Sequence, residues 1–129
     1  TEQLEGSPKR LLIVDDDEQI RELFVDMLCD DERFTIKTAS TGYDAGILTE
    51  QFKPDLMILD YMLPDINGNV VCKTVRDNPN VAGMKIIIVS GVADQREVQQ
   101  LMSAGADAFV KKPFSIDELL NRIGELLGV

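Results

Sequence analysis

Histidine is absent from this sequence of 129 residues, and basic residues are scarce. Thirteen lysines and arginines accompany 23 aspartates and glutamates, so the formal net charge is −10 at pH 7. A surface of this charge repels nucleic acids and anionic lipids. The composition therefore argues against direct nucleic-acid binding by this domain. A histidine, where the chemistry requires one, must come from another molecule.

Long apolar runs are also missing, because none approaches the roughly 20 residues that span a bilayer. The first residues, 1–6, lack the basic and apolar parts of a signal peptide, so we expect a cytoplasmic protein without membrane contact. The two cysteines, Cys29 and Cys72, lack the close spacing of a zinc site. Both are expected to be reduced and to fill small apolar spaces.

Length and composition predict one globular domain with a single core. Apolar residues make up 44% of the chain and charged residues 28%, which is ordinary for such a domain. We expect a flexible polar leader over residues 1–8 and one folded domain over residues 9–129.

Short apolar runs alternate with segments of helical periodicity. The strands are predicted over residues 11–14, 34–39, 56–59, 85–89 and 108–110. Helix caps are expected at Ser40 or Thr41, at Asp94 with Glu97, and at Ser115 with Glu118. The expected buried helix residues are Ile20, Leu23, Phe24, Met27, Leu28, Ala45, Leu48, Phe52, Val70, Val71, Val75, Val98, Leu101, Met102, Ile116, Leu119, Leu120, Ile123, Leu126 and Leu127.

Five strand–helix repeats indicate an α/β fold with a parallel sheet between helices. The preferred arrangement is a doubly wound (βα)5 fold of the flavodoxin type, with strand order 2-1-3-4-5 and helices on both faces. Its switch point lies between the first and third strands, where ligands bind in such sheets.

Polar residues follow four of the predicted strands. Asp15-Asp16-Asp17 follows the first strand, Asp60 the third, Ser90 the fourth and Lys111-Lys112 the fifth. Any one of these has a purely structural explanation, since an aspartate after a strand often caps the next helix. Their joint placement at one sheet edge instead indicates a site.

Three carboxylates close together repel one another unless positive charge is present. Mg²⁺ fits Asp15, Asp16 and Asp60, because it prefers oxygen ligands and is commonly shared between carboxylates and a phosphate. A carboxylate at a strand end can also form an acyl phosphate, and Asp60 is the preferred nucleophile. The ammonium of Lys112 and the hydroxyl of Ser90 would then bind phosphoryl oxygens.

The residues at this edge resemble those of the two-component response regulator receiver (CheY-like) domain, from about Lys9 to Leu127. The matching segments are 14–17, 59–68, 89–91 and 104–114. The resemblance implies direct metal contacts from Asp16 and Asp60, a water-mediated one from Asp15 and one from the Met62 backbone carbonyl. It also implies that Lys112 binds phosphate and that Lys111 points outward. The peptide bond between Lys112 and Pro113 is expected to be cis.

In this family a sensor histidine kinase or a histidine phosphotransfer protein passes a phosphoryl group to the aspartate at the position of Asp60. The resemblance therefore implies a phosphorelay switch that catalyses only its own phosphorylation and dephosphorylation. The resemblance implies that Ser90 and Phe109 change position on phosphorylation of Asp60. These changes would reshape the face formed by helix 4, strand 5 and helix 5. That face would contact an output domain, a separate effector or a second copy.

Two departures from common forms of the family involve three positions. Phe109 replaces a tyrosine and has no hydroxyl, and Met62 and Val92 cannot orient an attacking water. We therefore expect a long-lived acyl phosphate.

Three alternatives to the receiver share parts of this sequence pattern. A flavodoxin-like carrier would need hydroxyls and glycines in its first loop, where the aspartates would repel FMN phosphate. A haloacid-dehalogenase-type phosphatase would need a second aspartate where Met62 stands. A degenerate, non-phosphorylated binding module is the third alternative, although no expected site residue is missing.

Overall fold

The computed structural model describes residues 8–81, 83–91 and 94–129. Strands and helices alternate along the described chain. The strands are β1 (Lys9–Val14), β2 (Phe34–Ala39), β3 (Leu56–Asp60), β4 (Lys85–Ser90) and β5 (Ala108–Lys111). The helices are α1 (Glu18–Leu28), α2 (Gly42–Phe52), α3 (Gly68–Asp77), α4 (Gln95–Ser103) and α5 (Ile116–Leu127). Among the described helices, none has the length and apolar character needed to cross a membrane.

All strand pairs are parallel, and the sheet order is β2-β1-β3-β4-β5. The predicted doubly wound order is therefore confirmed. Each strand agrees with its prediction to within two residues at either end. The strand sequences are apolar without polar alternation in β3 and β4 because helices cover both faces of the sheet.

The core has two layers, one on each face of the sheet. Alternate residues of each strand point to opposite faces. Leu12, Met57 and Ile86 pack in one layer with residues of α2, α3 and α4. Leu11 and Ile87 pack in the other layer with residues of α1 and α5. Each helix thus needs only one apolar stripe to join the core.

Three apolar helix residues predicted to be buried are exposed instead. Leu23, Val70 and Met102 each adjoin a buried residue in the sequence: Phe24, Val71 and Leu101 respectively. Adjacent residues lie about 100° apart around a helix, so the exposed member of each pair falls outside the stripe that meets the sheet. The periodicity of the sequence locates the apolar stripe of each helix. The width of the buried part depends on how the helix packs against the sheet.

The cysteine prediction was half wrong. Cys72 is buried in the core, as expected, and burial raises the pKa of its thiol to about 11. Cys29 is exposed, because it follows the last turn of α1 rather than lying on its buried face. The predicted leader, residues 1–8, lies outside the described residues except for Pro8.

Helix caps agree with the sequence signals. Thr41 rather than Ser40 caps α2, and Asp94 and Ser115 accept the backbone N–H groups of Glu97 and Glu118. A capping side chain accepts one of the four N–H groups that lack a partner at a helix start. These residues determine the position in the chain at which each of the three helices begins.

An arginine joins α3 to the segment before β5. The Arg76 Nε donates to the Gly105 carbonyl oxygen at 2.8 Å, and its Nη2 lies 2.6 Å from Asp107 Oδ2. Asp107 also accepts the Ile86 backbone N–H at 2.8 Å. Gly105 has φ +118°, and a Cβ there would lie 2.5 Å from Arg76 Cγ. No local sequence signal predicts this connection, because the partners of Arg76 lie 29 and 31 positions away in the chain.

Replacing Arg76 by methionine is expected to lower the free energy of unfolding by about 2–4 kcal/mol, because a half-buried carboxylate and carbonyl lose their donor. Urea unfolding measures this change. Lys73→Met is the matched control, since Lys73 is exposed on the same helix. Equal stability of the two variants would contradict a structural role for the Arg76 contacts.

Candidate functional site

The carboxyl ends of β1, β3, β4 and β5 meet at one edge of the sheet. Val14 pairs with Leu59, Asp60 with Val89, and Ser90 with Lys111. These pairings place the polar residue after each strand at about the same height. The edge lies at the switch point between β1 and β3, where open α/β sheets form their ligand crevice.

Asp15, Asp16 and Asp60 form an acidic cluster at this edge. One carboxylate oxygen from each residue lies within 4.8 Å of the other two. Asp15 is 4% exposed and Asp60 is 8% exposed, whereas Asp16 is open to solvent. The three residues singled out as metal ligands are thus brought together.

Lys112 provides positive charge beside the cluster. Its Nζ lies 3.4 Å from Asp15 Oδ2 and 3.6 Å from Asp60 Oδ1. Lys111 is exposed, and the bond from Lys112 to Pro113 is cis. The placement of both lysines is the one expected from the sequence.

The pKa of the Asp60 carboxyl is raised above its ordinary value. Burial contributes most to the shift, and the charge of Asp15 adds to it. Lys112 and the Met62 backbone N–H act in the opposite direction. The carboxylate of Asp60 is therefore ionised at a cost that additional positive charge would relieve.

Asp17 has a different role from its two acidic neighbours. It caps α1 by accepting the Gln19 N–H at 2.9 Å, and its own N–H donates to Asp15 Oδ1 at 2.9 Å. The structural explanation of an aspartate after a strand is thus correct for Asp17. Asp15 and Asp16, by contrast, belong to the acidic cluster with Asp60.

The two residues expected to respond to phosphorylation lie on β4 and β5. Ser90 ends β4 and is 2% exposed. Phe109 is partly buried and lines a surface cavity of about 470 Å³ with α4 residues that include Val98 and Gln99. Val92, one of the two positions expected to lack a water-orienting group, lies outside the described residues.

Two contacts beside the site have no clear signal in the sequence. The Arg21 Nη1 donates to the Asp15 backbone oxygen at 2.7 Å and so supports the first acidic residue. Asp65 accepts the backbone N–H groups of Gly42 and Tyr43 at the start of α2. The turn-like sequence around Asp65 was visible, but its partners are more than 20 positions away in the chain.

The donor set fits a hard divalent cation. Three carboxylates and one contacting lysine leave a local excess of about two negative charges, and all the candidate side-chain ligands are oxygens. Mg²⁺ prefers this chemistry and tolerates partly solvated ligands such as Asp16. The residues present therefore suit the ion that the sequence predicts.

A parallel sheet in the order 2-1-3-4-5, with carboxylates at its switch point and a lysine after β5, defines the receiver class of signalling domains. A sequence model of the response regulator receiver domain matches residues 11–124. The chain therefore belongs to this family, and it is a receiver domain of a two-component system.

Individual relatives agree with this assignment. The chain is 32% identical over 118 residues to the DNA-binding dual master transcriptional regulator RpaA of Synechocystis sp., covering 92% of this chain and 48% of RpaA. It is 30% identical over 121 residues to the polar-differentiation response regulator DivK of Brucella anthropi, covering 94% of this chain and 98% of DivK. The chain thus spans about half the length of relatives such as RpaA.

A solved structure shares the fold as well. The CheY-like response regulator receiver domain protein from Methanospirillum hungatei JF-1 superposes with a TM-score of 0.85 at 32% identity. The alignment covers 95% of both chains. Membership in this family favours the receiver over the flavodoxin-like carrier and the haloacid-dehalogenase-type phosphatase.

Proposed function

We propose that Asp60 accepts a phosphoryl group from a phosphohistidine of a sensor histidine kinase or a histidine phosphotransfer protein. The observation that carries this proposal is the position of Asp60, buried at the sheet edge between two further carboxylates and the Lys112 ammonium. A nucleophilic carboxylate needs such positive charge nearby when it meets a phosphoryl anion.

In the transfer, an oxygen of Asp60 forms a bond to phosphorus while the phosphorus–nitrogen bond of the donor breaks. The leaving imidazole keeps the electron pair of that bond. Lys112 lies close enough to Asp60 to bind a phosphoryl oxygen, and the Ser90 hydroxyl is the candidate ligand for another. The chain supplies the nucleophile and these two ligands, and the histidine belongs to the partner.

Mg²⁺ would be held by Asp16 and Asp60 directly, by Asp15 through water and by the Met62 backbone carbonyl. When bound, it supplies the positive charge that lets a phosphoryl anion approach an acidic pocket. Asp15 is positioned for this role because one of its oxygens already accepts the Asp17 N–H.

Phosphorylation would favour a second arrangement in which Ser90 moves toward Asp60 and Phe109 turns inward. The movement of Ser90 would vacate the space that Phe109 fills, since Phe109 already lies partly buried at the edge of a surface cavity. The α4-β5-α5 face would then contact an output domain C-terminal to this chain, a separate effector or a second copy. A population shift of this kind requires different contacts in the two states.

We further propose that residues 9–129 form the receiver domain and that it acts in the cytoplasm.

A small phosphodonor tests the proposal. The chain is incubated with the donor in Mg²⁺ and in EDTA, and intact mass is measured. A gain of one phosphoryl group in Mg²⁺ alone is expected, and borohydride reduction before peptide mapping should locate it at Asp60. An unchanged mass would indicate a degenerate binding module, and rapid release of free phosphate without a phosphorylated protein would indicate a phosphatase.

The acyl phosphate is expected to be long-lived, because Met62, which is 62% exposed, has no side-chain group that could orient an attacking water. Met62→Asn places an amide at this position and should shorten the lifetime by about tenfold, a small part of what a positioned polar group can contribute. Loss of label from purified phosphoprotein in Mg²⁺ measures the lifetime. Met102→Asn is the control, because Met102 is exposed and lies on α4. A fast loss of label from the unmodified sequence would contradict the expectation.

A further inference from the structure

Asp65 holds the first turn of α2 with both of its carboxylate oxygens. Its Oδ1 accepts the Gly42 N–H at 2.8 Å, and its Oδ2 accepts the Tyr43 N–H at 2.9 Å. These N–H groups belong to the four that lack a partner at a helix start. They lower the pKa of the Asp65 carboxyl, so the contact persists at neutral pH.

The cap of α2 therefore has two separate parts. Thr41 Oγ1 accepts the Asp44 N–H at 3.0 Å and is local to the helix. Asp65 reaches the same turn from the loop between β3 and α3, more than 20 positions along the chain. Only the Asp65 part connects α2 to that loop.

The loop is closed at its base. Met62 and Asn67 form an antiparallel bridge, and the Gly68 N–H donates to the Tyr61 carbonyl oxygen at 2.7 Å. Asp65 lies at the tip of this closed loop. Restraint of the tip therefore also restrains Tyr61 and Met62, which directly follow the Asp60 nucleophile.

Ile66 makes a second contact between the loop tip and α2. A Cβ added to Gly42 would lie 2.4 Å from Ile66 Cγ1 and 2.5 Å from its Cδ1. Gly42 is buried and has no side chain, so the loop tip can rest directly on the helix. The two carboxylate hydrogen bonds and this apolar contact hold the same segment.

We propose that Asp65 is a positioning residue for the metal site: by holding the first turn of α2, its carboxylate fixes the loop that presents the Met62 carbonyl beside Asp60. This inference rests on the proposed function, in which Met62 supplies a metal ligand. Asp65 itself contacts neither metal nor phosphoryl group.

Mg²⁺ titration of the whole chain by calorimetry tests the role of Asp65. Asp65→Ala should weaken Mg²⁺ binding by about three- to tenfold, the range that loss of a helix-capping contact produces. Asp65→Asn should also weaken it, since an amide offers one acceptor oxygen where two N–H groups need acceptors. Gly42→Ala, which displaces Ile66 from the other side of the contact, should act in the same direction.

Thr41→Ala is the matched control, because it removes the local cap of the same helix without touching the loop. It should lower the melting temperature about as much as Asp65→Ala and leave the Mg²⁺ Kd within about twofold. A similar loss of Mg²⁺ affinity in Thr41→Ala, or unchanged affinity in Asp65→Ala, would overturn the positioning role. Failure of the unmodified chain to bind Mg²⁺ would instead contradict the proposed function.

Discussion

Replacing Asp60 by asparagine is expected to abolish phosphoryl transfer to the chain and, without divalent cations, to stabilise the fold. Both effects have one origin, the buried carboxylate that serves as nucleophile and repels Asp15. An amide cannot form the acyl phosphate and carries no charge. We expect no mass gain with a phosphodonor and a rise in melting temperature in EDTA of about 3–6 °C, which is about 1–2 kcal/mol for a chain of this size.

The stabilising effect should depend on pH. Because the pKa of Asp60 is raised in the folded protein, the unfolded chain releases this proton first as pH rises above about 4. The folded state binds more protons in that window, so the Asp60 contribution lowers the free energy of unfolding as pH increases. Below the window the contribution vanishes, and above the folded pKa it is fully unfavourable. Urea unfolding at several pH values in EDTA should show this decline in the unmodified chain but not in Asp60→Asn.

Related variants separate the acidic cluster from general charge effects. Asp16→Asn should also raise the metal-free melting temperature, by less than Asp60→Asn because Asp16 is exposed. Asp26→Asn, exposed on α1 away from the cluster, is the control and should change little. Mg²⁺ should stabilise the unmodified chain, with a reduced effect in both cluster variants. If neither Mg²⁺ nor Asp16→Asn changes the melting curve, the pocket does not bind metal as proposed.

Replacing Lys112 by methionine is expected to slow phosphorylation by about 100-fold, comparable to losing one preorganised charge-stabilising donor. The Lys112 ammonium lies beside both Asp15 and Asp60, where it offsets their repulsion and can bind a phosphoryl oxygen. Its loss should also destabilise the metal-free fold by about 1–2 kcal/mol, a value below that of a fully buried pair because Lys112 is partly exposed. Rates of mass gain and urea unfolding measure the two effects.

Lys111→Met provides a matched control, since the same substitution falls one residue earlier on an exposed side chain. It should retain phosphorylation and stability. Mg²⁺ affinity distinguishes loss of phosphate binding from damage to the metal site. Lys112→Met should bind Mg²⁺ at least as tightly as the unmodified chain, because a competing positive charge is gone. Equal phosphorylation rates in the two lysine variants would argue against a phosphate-binding role for Lys112.

Much of the fold could be predicted because its signals are local. The five strands appear as short apolar runs, and Thr41, Asp94 and Ser115 mark helix starts through hydrogen bonds made within one turn. Parallel strands with right-handed connections leave few sheet orders, so the order followed from the alternation of elements. The edge containing Asp15, Asp60 and Lys112 followed in turn, because parallel strands end on the same side of a sheet.

The sequence by itself thus determined the fold class and which residue types meet at the switch point. The tertiary structure decided that Phe24 rather than Leu23 faces the core, that Arg76 binds Asp107, and that Asp65 holds α2. It also decided the raised pKa of Asp60, which depends on burial and on its distance to Asp15. These properties arise between residues far apart in the chain, and both burial and electrostatic energy depend on three-dimensional distance rather than on sequence spacing.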